Sequence, residues 1–178
     1  MKGSDVHKLI KAFSKIEPES LNGDPISFKG KIVVPYEKDK ILKILSAFDA
    51  AGDLQVIRNS MYRGISFYLP CTPLYEGTIS FLLQDKVLPL NIDEIPNSDL
   101  ASLNGWCPTG TAEEKKISQR VLEDYGEEQW QKIKAFNEEY CIGNIYARNV
   151  GINPKTNKIC CFDFQCGVAR DKEGHLRV

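Results

Sequence analysis

Asn149 offers an amide oxygen and Asp163 a carboxylate, donors that suit the near-octahedral shell of Mg²⁺ alongside water and phosphate. They stand in two short runs, Asn144-Ile-Tyr-Ala-Arg-Asn149-Val-Gly-Ile152 and Ile159-Cys-Cys-Phe-Asp163-Phe164, separated by Asn153-Pro-Lys-Thr-Asn157. The separating residues are turn formers, so the two runs are expected to fold back as a hairpin that places both ligands near each other. Phosphoryl transfer from a nucleotide uses a metal held in this way. It also uses cations on the phosphates and a carboxylate that orients or deprotonates the acceptor hydroxyl.

On these residues the chain resembles the protein-kinase-like superfamily. The likeness is strongest to its small or atypical members and to the aminoglycoside-phosphotransferase branch, where the loop often reads Asp-x-His-x-x-Asn. In this sequence Asn144 takes the place of the catalytic Asp and Tyr146 that of the His. The resemblance implies that Asn149 and Asp163 are metal ligands, with Asp163 also in the catalytic set, and that Lys43 is the lysine on the nucleotide. It implies ATP and Mg²⁺ as cofactors, or none if the chain is a pseudokinase. It spans Ile26 to Cys166, and its specific part is the late hairpin.

The departures are informative. An amide at Asn144 cannot take the substrate proton, and general-base help is worth about 10²–10⁴-fold. No glycine-rich phosphate loop is visible around Gly23 or Gly30. Between Asp49 and Asn59 there are Asp49 and Asp53 but no Glu to pair with Lys43, and Phe164 is followed by Gln165. Only Gln165 to Val178 follow the Asp-Phe pair, so the activation segment and the helical platform for protein substrates are not expected. Each residue also has an ordinary reading. Asp163 can end a strand, Asn149 can satisfy a loop backbone, Arg148 can be a solvated surface group, and Tyr146 is expected to pack as a core aromatic.

The elements that must position these residues read as α+β. The expected fold is an antiparallel β-sheet in the N-terminal half, then a long helix and a catalytic-loop-like β-hairpin, kinase-like but lacking most of the C-lobe. A single domain over 1–178 is expected, with an N-terminal helix over 1–17 from Val6, Leu9, Ile10 and Phe13, a β-rich part over 26–90, and helix plus hairpin over 113–166. Lys40 to Leu45 is open to two readings. Apolar residues at Ile41, Leu42, Ile44, Leu45 and Phe48 suit a helix from Glu37, whereas the resemblance favours a strand carrying Lys43. Ile65 to Leu69 and Thr78 to Leu83 read as strands around a bend at Pro70 and Pro73. Asn91 to Thr111 reads either as an irregular connection or as an insertion with one short helical turn, anchored by Trp106. Glu113 to Tyr140 is helical with a break near Gly126, Trp130, Ile133 and Phe136 sharing one side.

Composition bounds the partners. The 178 residues, 42% of them hydrophobic, suffice for one ordinary core. The 23 Lys and Arg balance 24 Asp and Glu, so no global field draws the chain to nucleic acid or anionic lipid. Apolar runs fall short of the roughly 20 residues a bilayer span needs, and the N-terminus lacks a secretion signal, so a cytoplasmic protein is expected. The six cysteines include no Cys-x-x-Cys pair, and reduced, buried thiols are expected rather than a zinc site.

Three functions compete. The first is a catalytically impaired kinase-like protein that binds and modulates a protein partner, as an inhibitor that sequesters it would, with weak or vestigial nucleotide binding. The second is an active, atypical ATP-dependent phosphotransferase with its base taken from Asp171 or Glu173. The third is a non-enzymatic immunity or regulatory interaction domain, related to the yeast cell-wall regulator family by Gly143-Asn144 and Phe162-Asp163. The first is the expectation adopted.

Overall fold

A computed structural model describes residues 26–28, 31–36, 38–77, 79–96, 111–143 and 145–177. The expected helix over 1–17, Trp106 and Asn144 lie outside the described residues. The chain divides into two compact units. One takes in described residues up to Gln55, with Pro70–Lys86 and Arg170–Leu176, and the other takes in Val56–Leu69, the described part of Val87–Ala169, and Arg177. The fold is α+β with antiparallel sheets.

The first unit is built on a five-stranded antiparallel sheet in the order β1-β2-β3-β5-β4. Its strands are β1 (Ile26–Phe28), β2 (Lys31–Tyr36), β3 (Lys40–Ser46), β4 (Cys71–Tyr75) and β5 (Ile79–Asp85). The stretch from Lys40 is therefore a strand, which decides between the two readings left open there. β3 is central, with Lys43 opposite Val33 on β2 and Leu82 on β5. Both faces of the strand are covered. Leu42 packs with Tyr36 and Phe81 on one face, and Leu45 packs with Leu82, Ala50 and Leu54 on the other. A strand buried on both faces carries a continuous apolar run, and such a run can mimic helical spacing.

The helix instead starts one residue after β3, as α1 (Ala47–Tyr62). Ser46 Oγ accepts from the Asp49 N–H at 3.1 Å and donates to Asp49 Oδ2 at 2.7 Å, satisfying a donor of the first turn. Pro73, expected at a bend, lies inside β4. Its missing N–H is tolerated there because β4 is an edge strand, irregular between Pro73 and Tyr75.

The second unit carries α2 (Ala112–Tyr125) and α3 (Glu127–Glu139). Thr111 caps α2 in a capping box with Glu114, and Gly126, at φ 80°, ends it and lets the chain re-enter a helix at once. Trp130, Ile133 and Phe136 are buried on one side of α3, as their spacing implies. A three-stranded antiparallel sheet joins β6 (Leu88–Pro89), β8 (Val150–Asn153) and β9 (Lys158–Cys161) in the order β6-β8-β9. A short pair joins β7 (Ile142–Gly143) and β10 (Gln165–Cys166). Ile65 to Leu69, expected as a strand, is buried except at Ser66, and among the described residues it makes a single parallel bridge, Tyr68 to Cys161. Its side chains are claimed by aromatic packing. Tyr68 meets Phe67, Phe136 and Phe164 at centroid distances of 5.3, 5.6 and 5.2 Å, and its hydroxyl donates to Asn137 Oδ1.

No helix among the described residues is long and apolar enough to cross a membrane. The five described cysteines are free thiols. Cys160 is buried and its thiol is pushed up to about 12 by desolvation, whereas Cys141 is exposed. Brief alkylation of the native protein at neutral pH is expected to label Cys141 and spare Cys160, which peptide mass spectrometry will show. Ile133 is fully buried, so Ile133→Ala is expected to cost about 2–5 kcal/mol in a denaturant titration.

Candidate functional site

The hairpin that carries Asn149 and Asp163 forms as the turn residues imply. Asn153 Oδ1 accepts from the Lys155 N–H at 2.9 Å, Asn153 O accepts from the Asn157 N–H at 2.8 Å, and Asn157 sits at φ 55°. β8 and β9 then pair in register from Asn153 opposite Lys158 to Val150 opposite Cys161.

The other edge of β9 is occupied by groups from distant parts of the same unit. Asp124 Oδ2 accepts from the Ile159 N–H at 2.6 Å, and the Tyr125 hydroxyl donates to Ile159 O at 2.7 Å. Two residues on, Phe67 O accepts from the Cys161 N–H and the Leu69 N–H donates to Cys161 O, both at 2.8 Å. Every backbone group that β9 turns outward at Ile159 and Cys161 is thus paired, as burial requires. Burial and the neighbouring Cys160 and Asp124 raise the Tyr125 phenol far above its ordinary value, so it stays a donor.

Asn149 and Asp163 are brought together through the backbone. Asn149 ends a 3-10 turn, Ala147–Asn149, and its carbonyl accepts from the N–H groups of Phe162 at 3.0 Å and Asp163 at 3.4 Å. Asp163 is half-buried, and its carbonyl accepts from the Cys161 thiol at 3.1 Å. Phe164 is anchored edge-on against Tyr68. The preceding loop is tied to the start of α2, where Glu113 Oε1 accepts from the Ala147 N–H. Glu113, Tyr146, Ala147 and Arg148 line a shallow cleft. Tyr146 is 36% exposed, so its expected place in the core is corrected; the Arg148 guanidinium lies 5.4 Å from its ring centre.

Lys43 belongs to the first unit. It is 4% exposed on β3, on the sheet face it shares with Leu45 and Leu82, the face that α1 covers with Ala50 and Leu54. Asp53, next to Leu54 on α1, is 7% exposed. The sequence names Asp53 as one of two acidic residues in this region, and the structure shows that it is buried. Glu113 and Asp124 were invisible as backbone partners, because each serves a backbone group more than thirty positions away.

Asp171, considered as a replacement base, is committed to its own turn. Its Oδ1 accepts from the N–H groups of Glu173 and His175, each at 2.9 Å, and Oδ2 lies 3.5 Å from His175 Nδ1. These bonds, the one from His175 first, hold the carboxyl below its ordinary 3.8. Among the described residues no group of three or more His, Cys, Asp and Glu is placed to hold a metal. Asn149 and Asp163 are the residues that would hold a Mg²⁺ here, as an amide and a carboxylate donor. Neither a scan of protein-family models nor a search of curated proteins found a match to the chain.

The depressed Asp171 pKa sets the sign of a pH effect. The turn's added stability is complete above the ordinary carboxylate range and fades as pH falls through the lowered value. The amides of Glu173 and His175 are therefore expected to lose hydrogen-exchange protection in acid, and Asp171→Asn is expected to remove that dependence.

Proposed function

We propose that the chain is a catalytically impaired, kinase-like protein that acts by binding and modulating a protein partner, with weak nucleotide and Mg²⁺ binding. The single observation that carries this reading is the seating of Asn149 and Asp163. They stand at adjoining ends of one hairpin, joined through the Asn149 carbonyl, with Phe164 anchored behind them. In this reading Asn149 and Asp163 supply oxygens to a metal whose role is to neutralise phosphate charge. The chain's own residues fix the spacing of those donors, and Asn144 leaves no carboxylate at the base position.

The alternative of an active phosphotransferase is less favoured, because Asp171 already spends one carboxylate oxygen on two backbone donors. An interaction domain without nucleotide is the remaining alternative, and in it Asn149 and Asp163 serve structure alone.

The deciding measurement is thermal denaturation across an ATP series to millimolar concentration, with and without Mg²⁺. A Mg²⁺-dependent rise in Tm is expected for the native chain, lost in Asp163→Ala and reduced in Asn149→Ala. Radiolabelled phosphate transfer is expected to be at background in all three. An absent rise, or one that survives both substitutions, removes nucleotide binding from the reading.

A further inference from the structure

Glycine is disfavoured inside a helix, yet Gly52 sits in the interior of α1. The structure shows what the missing side chain makes room for. A methyl group there would collide with the guanidinium of Arg170. The same guanidinium donates to Phe48 O at 3.0 Å, lies 5.3 Å from the Phe48 ring centre, and reaches Asp49 Oδ1 at 4.0 Å. One turn further along the helix, the Gln55 side chain imitates a strand partner. Its Oε1 accepts from the Leu176 N–H at 2.7 Å and its Nε2 donates to Leu176 O at 3.3 Å. A second glycine completes the fit. Gly174, at φ 90°, lies so close to the Phe48 backbone that a Cβ would overlap it.

Arg170 to Leu176 is a small hairpin closed by its own bonds. Arg170 bridges Leu176, the Asp171 N–H donates to His175 O at 2.9 Å, and the Asp171 carboxylate accepts from the Glu173 and His175 amides. Its contacts with α1 fall on Phe48, Asp49, Gly52 and Gln55, which line one side of the first turns. Ala50 and Leu54 are on the other side and pack against Leu45 and Leu82 of the sheet. The start of α1 is therefore gripped from two opposed sides.

We infer that the hairpin Arg170–Leu176 is a detachable latch on the first half of α1, and that its docking sets how firmly the helix face bearing Asp53 is held against the strand bearing Lys43. The hairpin keeps its own turn bonds when it leaves, its bonds to α1 are few and polar, the Phe48 ring beside Arg170 is partly exposed, and Leu176 is the one apolar side chain of the hairpin that is buried. The sheet beneath is a continuous ladder with apolar packing on both faces. Contacts of the first kind open locally at lower free energy than ladders of the second kind. Release of the hairpin loosens α1 and leaves the sheet intact. This inference rests on the geometry of the first unit and does not depend on nucleotide binding.

Hydrogen exchange on the full chain tests it through a double-mutant cycle of Gly52→Ala and Arg170→Ala. An ordinary helical glycine gains stability on becoming alanine. Here the methyl of Gly52→Ala makes the Arg170 guanidinium move aside and give up its bond to Phe48 O, so exchange is expected to speed across 48–55 and 170–176 together, with β3 and β5 unchanged. Arg170→Ala is expected to do the same. In the double variant the methyl group has space, so protection over 48–55 should recover relative to Gly52→Ala alone. If Gly52→Ala strengthens protection, or the two substitutions simply add, the latch is wrong. Should Gly52→Ala unfold the sheet as well, Arg170→Ala decides alone. Joint loosening of the two segments supports the latch, and unchanged protection overturns it.

Discussion

The outer edge of β9 is the constraint on which the second unit's arrangement depends. A buried strand edge must find donors and acceptors, and no further strand among the described residues supplies them here. Asp124 and Tyr125, at the end of α2, serve Ile159, while Phe67 and Leu69 serve Cys161. With that edge satisfied, the β8–β9 register is pinned from both sides, and the Asn149 carbonyl meets the amides of Phe162 and Asp163. Remove the clamp, and β9 would keep only its pairing with β8, in a three-stranded sheet whose strands are two to four residues long.

The same device recurs at smaller scale. Glu113 takes the Ala147 amide, Gln55 takes both backbone groups of Leu176, Asp171 takes two amides in its turn, and Ser46 starts α1. Short strands leave many backbone groups without ladder partners, and polar side chains from elsewhere fill the deficit. This accounting bears on function. A carboxylate that is already accepting backbone hydrogen bonds is held ionised and spatially fixed, which suits a structural role and makes it a poor proton acceptor. Asp171 is of that kind. Asp163 is tied in through its backbone as well, its N–H donating to the Asn149 carbonyl and its own carbonyl accepting from the Cys161 thiol.

Local features were legible from the residues alone. The Asn153–Asn157 turn, the break at Gly126, and the shared face of Trp130, Ile133 and Phe136 each depend on neighbours a few positions away, so their chemistry is written in short windows. The adjacency of Asn149 and Asp163 follows from that turn and was legible for the same reason. The pattern failed where burial on both sides erased it. Lys40–Ser46 read as helix or strand alike because Leu42 and Leu45 serve opposite faces of one strand, and Ile65–Leu69 looked like a full strand although aromatic packing, with a single bridge, holds it. Tyr146 was placed in the core by its size, yet the 3-10 turn after it leaves the ring partly open beside Arg148.

By itself the sequence determined an α+β chain with a late hairpin carrying an amide and a carboxylate, because turn chemistry and side-chain donor type are properties of adjacent residues. Only the tertiary structure decided that Lys43 sits buried in a central strand, that Asp124 and Tyr125 close the edge of β9, and that Gly52 exists to admit Arg170. Each of these depends on groups far apart in the chain meeting at hydrogen-bonding or contact distance. No pattern within a short window records that a partner more than a hundred residues away will occupy the space a glycine leaves open.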